Sequence, residues 1–160
     1  MSYLPTFISA KLFLLLAMGT LFTAQKNALS NEQFIAPIMK ISYSSSAGRG
    51  GTSINLDITA ASMVYTQGHN GAEKTIKEKT PRALWQKLTK SINLQDLDKV
   101  KSNPGHAMYD GTDITIVVLK GREEHSIVNG NEDILNYKKI KLFTDILEGQ
   151  LTRLGKRMSW

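Results

Sequence analysis

The chain has no cysteine among its 160 residues. That absence excludes disulfide staples, thiolate nucleophiles, zinc–thiolate sites and the lipidated cysteine of a bacterial lipoprotein anchor. Stability has to come from packing alone. Histidine is also scarce: His69, His106 and His125 are the only imidazoles, and none stands at an i, i+4 or HExxH spacing. A metal site would need two of them to converge with a carboxylate such as Asp110 or Asp113. No Gly-x-Ser-x-Gly elbow is present, and the run Ser44–Ser46 has no histidine near it in sequence. A triad assembled in space needs no local motif, so an enzyme stays open as an alternative.

Long apolar runs are few. The one that stands out is Leu12–Phe22, which carries no charge and follows a short segment whose one basic residue is Lys11. Eleven residues fall short of the roughly 20 that a helix needs to cross a hydrocarbon core. The pattern therefore predicts a signal peptide over residues 1–24 and no permanent membrane span; a buried core helix is the plainer alternative. Small residues place cleavage after Gly19, with Ala17 third from last, or after Ala24. The expected product is exported, either periplasmic or secreted. Removing 24 of 160 residues leaves 136, a normal size for one domain. The leader holds one of the 20 basic residues, so 19 face 14 acidic ones, a net charge of +5. This modest excess favours anionic partners. The positive residues are scattered and the chain reads as exported, so nucleic acid is not an expected partner.

Residues 25–33 lack apolar periodicity and are expected to be a disordered lead-in, with the domain over 34–154 and a short basic tail, 155–160, that frays. Ile38, Met39, Ile41 and Tyr43 begin a first strand. Ile54, Leu56 and Ile58 alternate with polar neighbours as a second, and Met63–Thr66 is a third. Ser44–Gly51 reads as the hairpin loop between the first two. Gly68–Lys79 is polar and aperiodic, which predicts a mobile loop. Thr80–Pro81 is a helix start, with the threonine as cap, and Leu84, Trp85, Leu88 and Ile92 share one face of the helix that follows. Ser102–Gly105 turns the chain. The near-continuous apolar run Ile114–Leu119 predicts a central strand buried on both faces. Lys120–Glu123 is a hairpin loop into a strand over His125–Val128, whose first residue, His125, is expected to be a cross-strand surface residue. Glu132 and Asp133 suit the start of a second amphipathic helix carrying Tyr137, Ile140, Phe143, Leu147, Leu151 and Leu154. The expected fold is α+β: an antiparallel sheet of about five strands with two amphipathic helices on one face, in the order βββαββα.

Each chemical candidate has a plain counterpart. Gly48-Arg49-Gly50-Gly51 could cradle an anion through backbone N–H groups, but it opens onto a strand and lacks the lysine and hydroxyl residue of a nucleotide loop. A plain hairpin is favoured. Asp110-Gly111-Thr112-Asp113 has two oxygen donors of a calcium loop but no distal glutamate at the required offset, which favours a turn whose aspartates bond their own backbone. His106 with Asp110 and Asp113 is the speculative metal set.

The segment Ser46–Gly51, the mid-chain helix, the Tyr109–Asp110 approach to a strong strand and the terminal helix with spaced leucines together resemble small exported bacterial domains of the emfourin type. Those domains inhibit thermolysin-like metalloproteases. The likeness spans about Ile38–Leu154, and departs at Asn131-Glu132-Asp133, where such domains commonly carry proline. It implies an inhibitor-like binding role and assigns no inhibitory residue. The chain is similar as well to other exported bacterial domains to which no activity attaches.

The functional expectation is an exported, non-enzymatic binding domain without a cofactor, presenting Gly48, Arg49, Gly50 and Gly51 to an envelope or extracellular protein. The alternatives are a small envelope hydrolase or metal-dependent enzyme, and a component that binds anionic lipid or polysaccharide.

Overall fold

Six strands form one sheet, and five of them place buried apolar residues on a shared face. They are β1 (Ile38–Ala47), β2 (Ser53–Ile58), β3 (Ser62–His69), β4 (Ala72–Lys79), β5 (Thr112–Lys120) and β6 (Glu123–Val128). The structure is a computed structural model that describes residues 36–48, 51–109 and 111–158. The expected signal peptide and lead-in lie outside the described residues, as do Arg49, Gly50 and Asp110. The strand order is β4-β3-β2-β1-β5-β6, and every neighbouring pair is antiparallel. No helix among the described residues is long and apolar enough to cross a membrane.

The register sorts the side chains cleanly. Ile41 stands opposite Ile58 and Val118, Leu56 opposite Tyr65, and Ile116 opposite Ile127, and all of these are buried. The helices lie on that face. Helix α1 (Arg82–Ser91) inserts Leu88, the short α2 (Leu94–Leu97) inserts Leu97, and α3 (Ile134–Gly155) inserts Ile140, Phe143, Ile146, Leu147 and Leu154. Full burial of one such side chain is worth about 1.5–3 kcal/mol, so this layer is the main source of stability in a chain without disulfides. The opposite face is polar: Ser42 donates to Asp57 at 2.7 Å, Lys40 pairs with Asp57 at 3.0 Å, and the Thr66 and Thr75 hydroxyls meet at 3.0 Å.

The α+β class holds, but several sequence expectations need correction. The sheet has six strands, not five, because the stretch expected to be a mobile loop contains the end of β3 and all of β4, and the helices number three, not two, so that the order among the described residues is ββββααββα and not βββαββα. An edge strand exposed on both faces needs no apolar alternation, and only Ile76 and Glu78 of β4 are even half-buried. Its turn, Asn70-Gly71, has positive φ at both residues (49° and 79°), the signature of a two-residue hairpin. Ser44, Ser45 and Ser46 belong to β1, not to the loop after it. Strand β5 lies second from the edge, and only Ile116 and Val118 in it are buried. Its alternate residues face the polar side, so it is not buried on both faces. Pro81, not Thr80, caps α1, without a side-chain bond, and the buried Thr80 hydroxyl has no hydrogen-bond partner among the described residues. In the described part of the basic tail, Arg157 Nη1 donates to Glu78 at 2.6 Å and Met158 packs against the core; Arg153, just before it, binds the same carboxylate.

Candidate functional site at one end of the sheet

Antiparallel order brings four connections to the end of the sheet where β1, β3 and β6 finish and β5 begins. They are the hairpin after Ala47, the turn after His69, the segment Ser102–Gly111, and the link Asn129–Asp133 into α3. A polar network fixes them to one another.

Asn129 is its centre. The residue is buried, at 3 % exposure, and sits at φ 51°, a left-handed conformation that asparagine tolerates better than most residues. Its Oδ1 accepts the N–H of Ile114 at 2.8 Å, and its Nδ2 donates to the Asn103 carbonyl at 2.8 Å and to Asp113 Oδ1 at 2.7 Å. Its own N–H donates to the Ile114 carbonyl at 2.8 Å. One side chain thus ties the end of β6 to the start of β5 and to the segment before it.

Asp113 gathers the rest of that segment. Its carboxylate accepts the backbone N–H groups of Gly105 at 3.2 Å, His106 at 3.0 Å and Ala107 at 3.4 Å. The Asn129 amide first, and these backbone donors after it, hold the Asp113 carboxyl below the usual carboxylate range against an opposing contribution from burial. Asp133, the N-cap of α3, is lowered in the same way, first by the Asn136 side chain and then by the Lys101 N–H, which it accepts at 3.0 Å. Between them, Asn103 Nδ2 donates to Glu132 Oε2 at 2.5 Å, and His106 Nδ1 lies 3.4 Å from Glu132 Oε1.

The glycine hairpin closes onto this segment. Gly48 N–H donates to the Gly111 carbonyl at 3.0 Å and Gly51 N–H to the Gly48 carbonyl at 2.9 Å. Both amides are engaged within the fold, as a structural hairpin requires. A side chain on Gly51 would overlap Ala47, and a Cβ on Gly111 would come within 2.7 Å of the His106 carbonyl oxygen. Close approach, not left-handed backbone, is what calls for glycine at these two positions. On the other side, Thr52 Oγ1 lies 3.4 Å from His69 Nδ1, linking the first hairpin to the second.

The structure therefore brings Gly48, Gly51, His106 and Asp113 to one place. It does not bring the three histidines together: His69 is on the second hairpin, and His125 lies half-buried against α2, its Nδ1 at 2.8 Å from Asp98 Oδ1. His125 is thus no surface residue of the open face. The Asp113 carboxylate is already occupied by N–H donors, and no group of three or more potential ligands that could hold a metal occurs among the described residues.

Residues that sequence reasoning did not select stand at the front of this end. Met108 and Tyr109, in the 3-10 turn His106–Tyr109, are 81 % and 85 % exposed. Two large apolar side chains in a segment bounded by Pro104-Gly105 and Gly111 were the available signal, since such a segment cannot bury them.

The carboxyl pKa values set an acid limit. Because Asp113 and Asp133 are lowered in the folded state, the stability they contribute is complete above the ordinary carboxylate pKa, near 4, and is lost as pH falls from there through their native values. Amide NMR spectra taken from pH 7 to pH 2 are expected to show the Gly105, His106 and Ala107 resonances unchanged down to about pH 4, then shifting before the sheet does.

No family model matches the chain, and no curated protein matches it in sequence.

Proposed function

We propose that this is an exported, non-enzymatic binding domain whose end surface, formed by the glycine hairpin and the Gly105–Gly111 segment, engages a protein partner. The observation that carries this reading is the exposure of Met108 and Tyr109 on a segment whose Gly105, His106 and Ala107 N–H groups all donate to Asp113, itself held by the Asn129 side chain. Large apolar side chains presented on an ordered scaffold are what protein interfaces use as anchors. The inhibitor-like role implied by the emfourin resemblance falls within this reading. The test is affinity capture from an envelope extract with three baits: the native domain, an Arg49→Ala variant and a Met108→Ala/Tyr109→Ala variant. A partner held by the first and released by the last supports the reading. Equal capture by all three contradicts it.

A second reading, an anionic surface component, is favoured by one feature of α3. Ile134, Leu135 and Leu142 are 78 %, 83 % and 62 % exposed, and with Lys138 and Lys139 they fall within one sector of the helix at steps of three, four and seven residues. Apolar and basic groups on one helical face suit the surface of an anionic bilayer. Sedimentation with vesicles containing anionic lipid is expected to show binding that falls steeply with added salt and is lost in Lys138→Glu/Lys139→Glu. Binding equal on neutral vesicles would contradict this reading.

A further inference from the structure

A cavity of about 140 Å³ lies between the sheet and α3, below the link from β6. Its apolar wall is made by Ile114 and Ile116 of β5, Ile127 of β6 and Leu147 of α3, and its polar side by Tyr43, Tyr137 and Glu148. A dry aliphatic cavity of about 150 Å³ accepts benzene, so this volume suits a ligand body of that size.

The polar side carries net negative charge. Glu148 is exposed and has no cation within ion-pair distance among the described residues; Lys141, the basic residue whose field reaches it, is bound to Asp145 at 2.6 Å. Burial first, and then the Glu148 charge, raise the Tyr43 phenol against an opposing hydrogen bond from Ser45; burial also raises Tyr137, against a hydrogen bond from Thr144 and with Glu148 adding to it. Both phenols therefore stay protonated, with oxygen lone pairs able to accept a hydrogen bond, and both feel the Glu148 charge.

We infer that this cavity is a binding site for a small primary ammonium compound with an aromatic or branched aliphatic body of about benzene's size. The body packs on Ile114, Ile116, Ile127 and Leu147, and the ammonium donates to the Glu148 carboxylate and the tyrosine oxygens. A carboxylate ligand of the same shape is rejected by charge, and a neutral one binds without the ionic contribution.

The test uses the full chain with benzylamine, benzyl alcohol and benzoate as probes, followed through the δ-methyl NMR signals of isoleucine. Benzylamine is expected to shift the Ile114, Ile116 and Ile127 methyls saturably while leaving Ile76 and Ile92 in place. Glu148→Gln, at an exposed position that does not threaten folding, is expected to weaken benzylamine by about tenfold, as loss of a charge-assisted hydrogen bond does, and to leave benzyl alcohol unchanged. No saturable shift up to about 10 mM benzylamine, about tenfold above a weak dissociation constant of about 1 mM, would overturn the inference. So would benzoate binding as well as benzylamine, or an E148Q variant that binds benzylamine undiminished.

Discussion

Replacing Asn129 with alanine is expected to lower the unfolding free energy by about 3 kcal/mol, since an unmet buried hydrogen-bonding group costs about 1–3 kcal/mol and alanine is poorly suited to left-handed backbone. The side chain meets the Ile114 N–H, the Asn103 carbonyl and the Asp113 carboxylate within 2.8 Å, and all three lose a partner at once. Urea denaturation checks this: the midpoint should fall while the slope stays constant, because the exposed surface on unfolding is the same. Asn129→Gly separates the two contributions. It removes the backbone strain but not the lost bonds, and should recover only about 1 kcal/mol of the deficit. A loss below about 1 kcal/mol in the alanine variant would mean that water replaces the side chain without penalty, and the network would not be what holds this end together.

Truncating both Met108 and Tyr109 to alanine is expected to weaken the partner by thirtyfold to a thousandfold, the effect of removing about 2–4 kcal/mol of interface anchor. The two residues are among the most exposed large apolar side chains described, so the fold should tolerate their loss with little change in thermal midpoint. That separation makes the experiment informative, since binding falls while stability does not. It also distinguishes this end from the α3 face, because Leu135→Ala should leave the protein partner unaffected. Titration of the captured partner against each variant provides the measurement. A fall of less than threefold would remove Met108 and Tyr109 from the interface.

The parts of this fold legible in the sequence are those where burial imposes a period. Ile54, Leu56 and Ile58 announced β2, and the spacing from Tyr137 to Leu154 announced α3, because each element has one wet and one dry face. Strand β4 has no dry face, so its composition resembles a loop, although Asn70-Gly71 carried the turn signal that would have placed it. The serine run Ser44–Ser46 misled for the opposite reason: Ser45 lies on the helix-covered side, but these small polar residues gave no alternation to read. At the candidate site, the sequence marks Asp113 as a turn former bonding its own backbone; it accepts instead the N–H groups of Gly105, His106 and Ala107, which lie 8, 7 and 6 residues before it. Asn129 was not legible, because its importance comes from partners 15, 16 and 26 residues away. Long-range hydrogen bonds leave no local period. The placement of the glycine hairpin beside Gly111 has the same origin, since it follows from the pairing of β1 with β5.

The network of Asn129 and Asp113 is expected to hold this end of the sheet in place without a partner, and native-state amide hydrogen exchange is the decisive experiment. The Gly48, Gly105, His106 and Ala107 amides, each bonded within the network, are expected to exchange far more slowly than those of an unfolded chain. All four should accelerate together in Asn129→Ala while the β1–β2 ladder stays protected. Exchange of these amides at unfolded-chain rates in the native protein would show that the segment is not held.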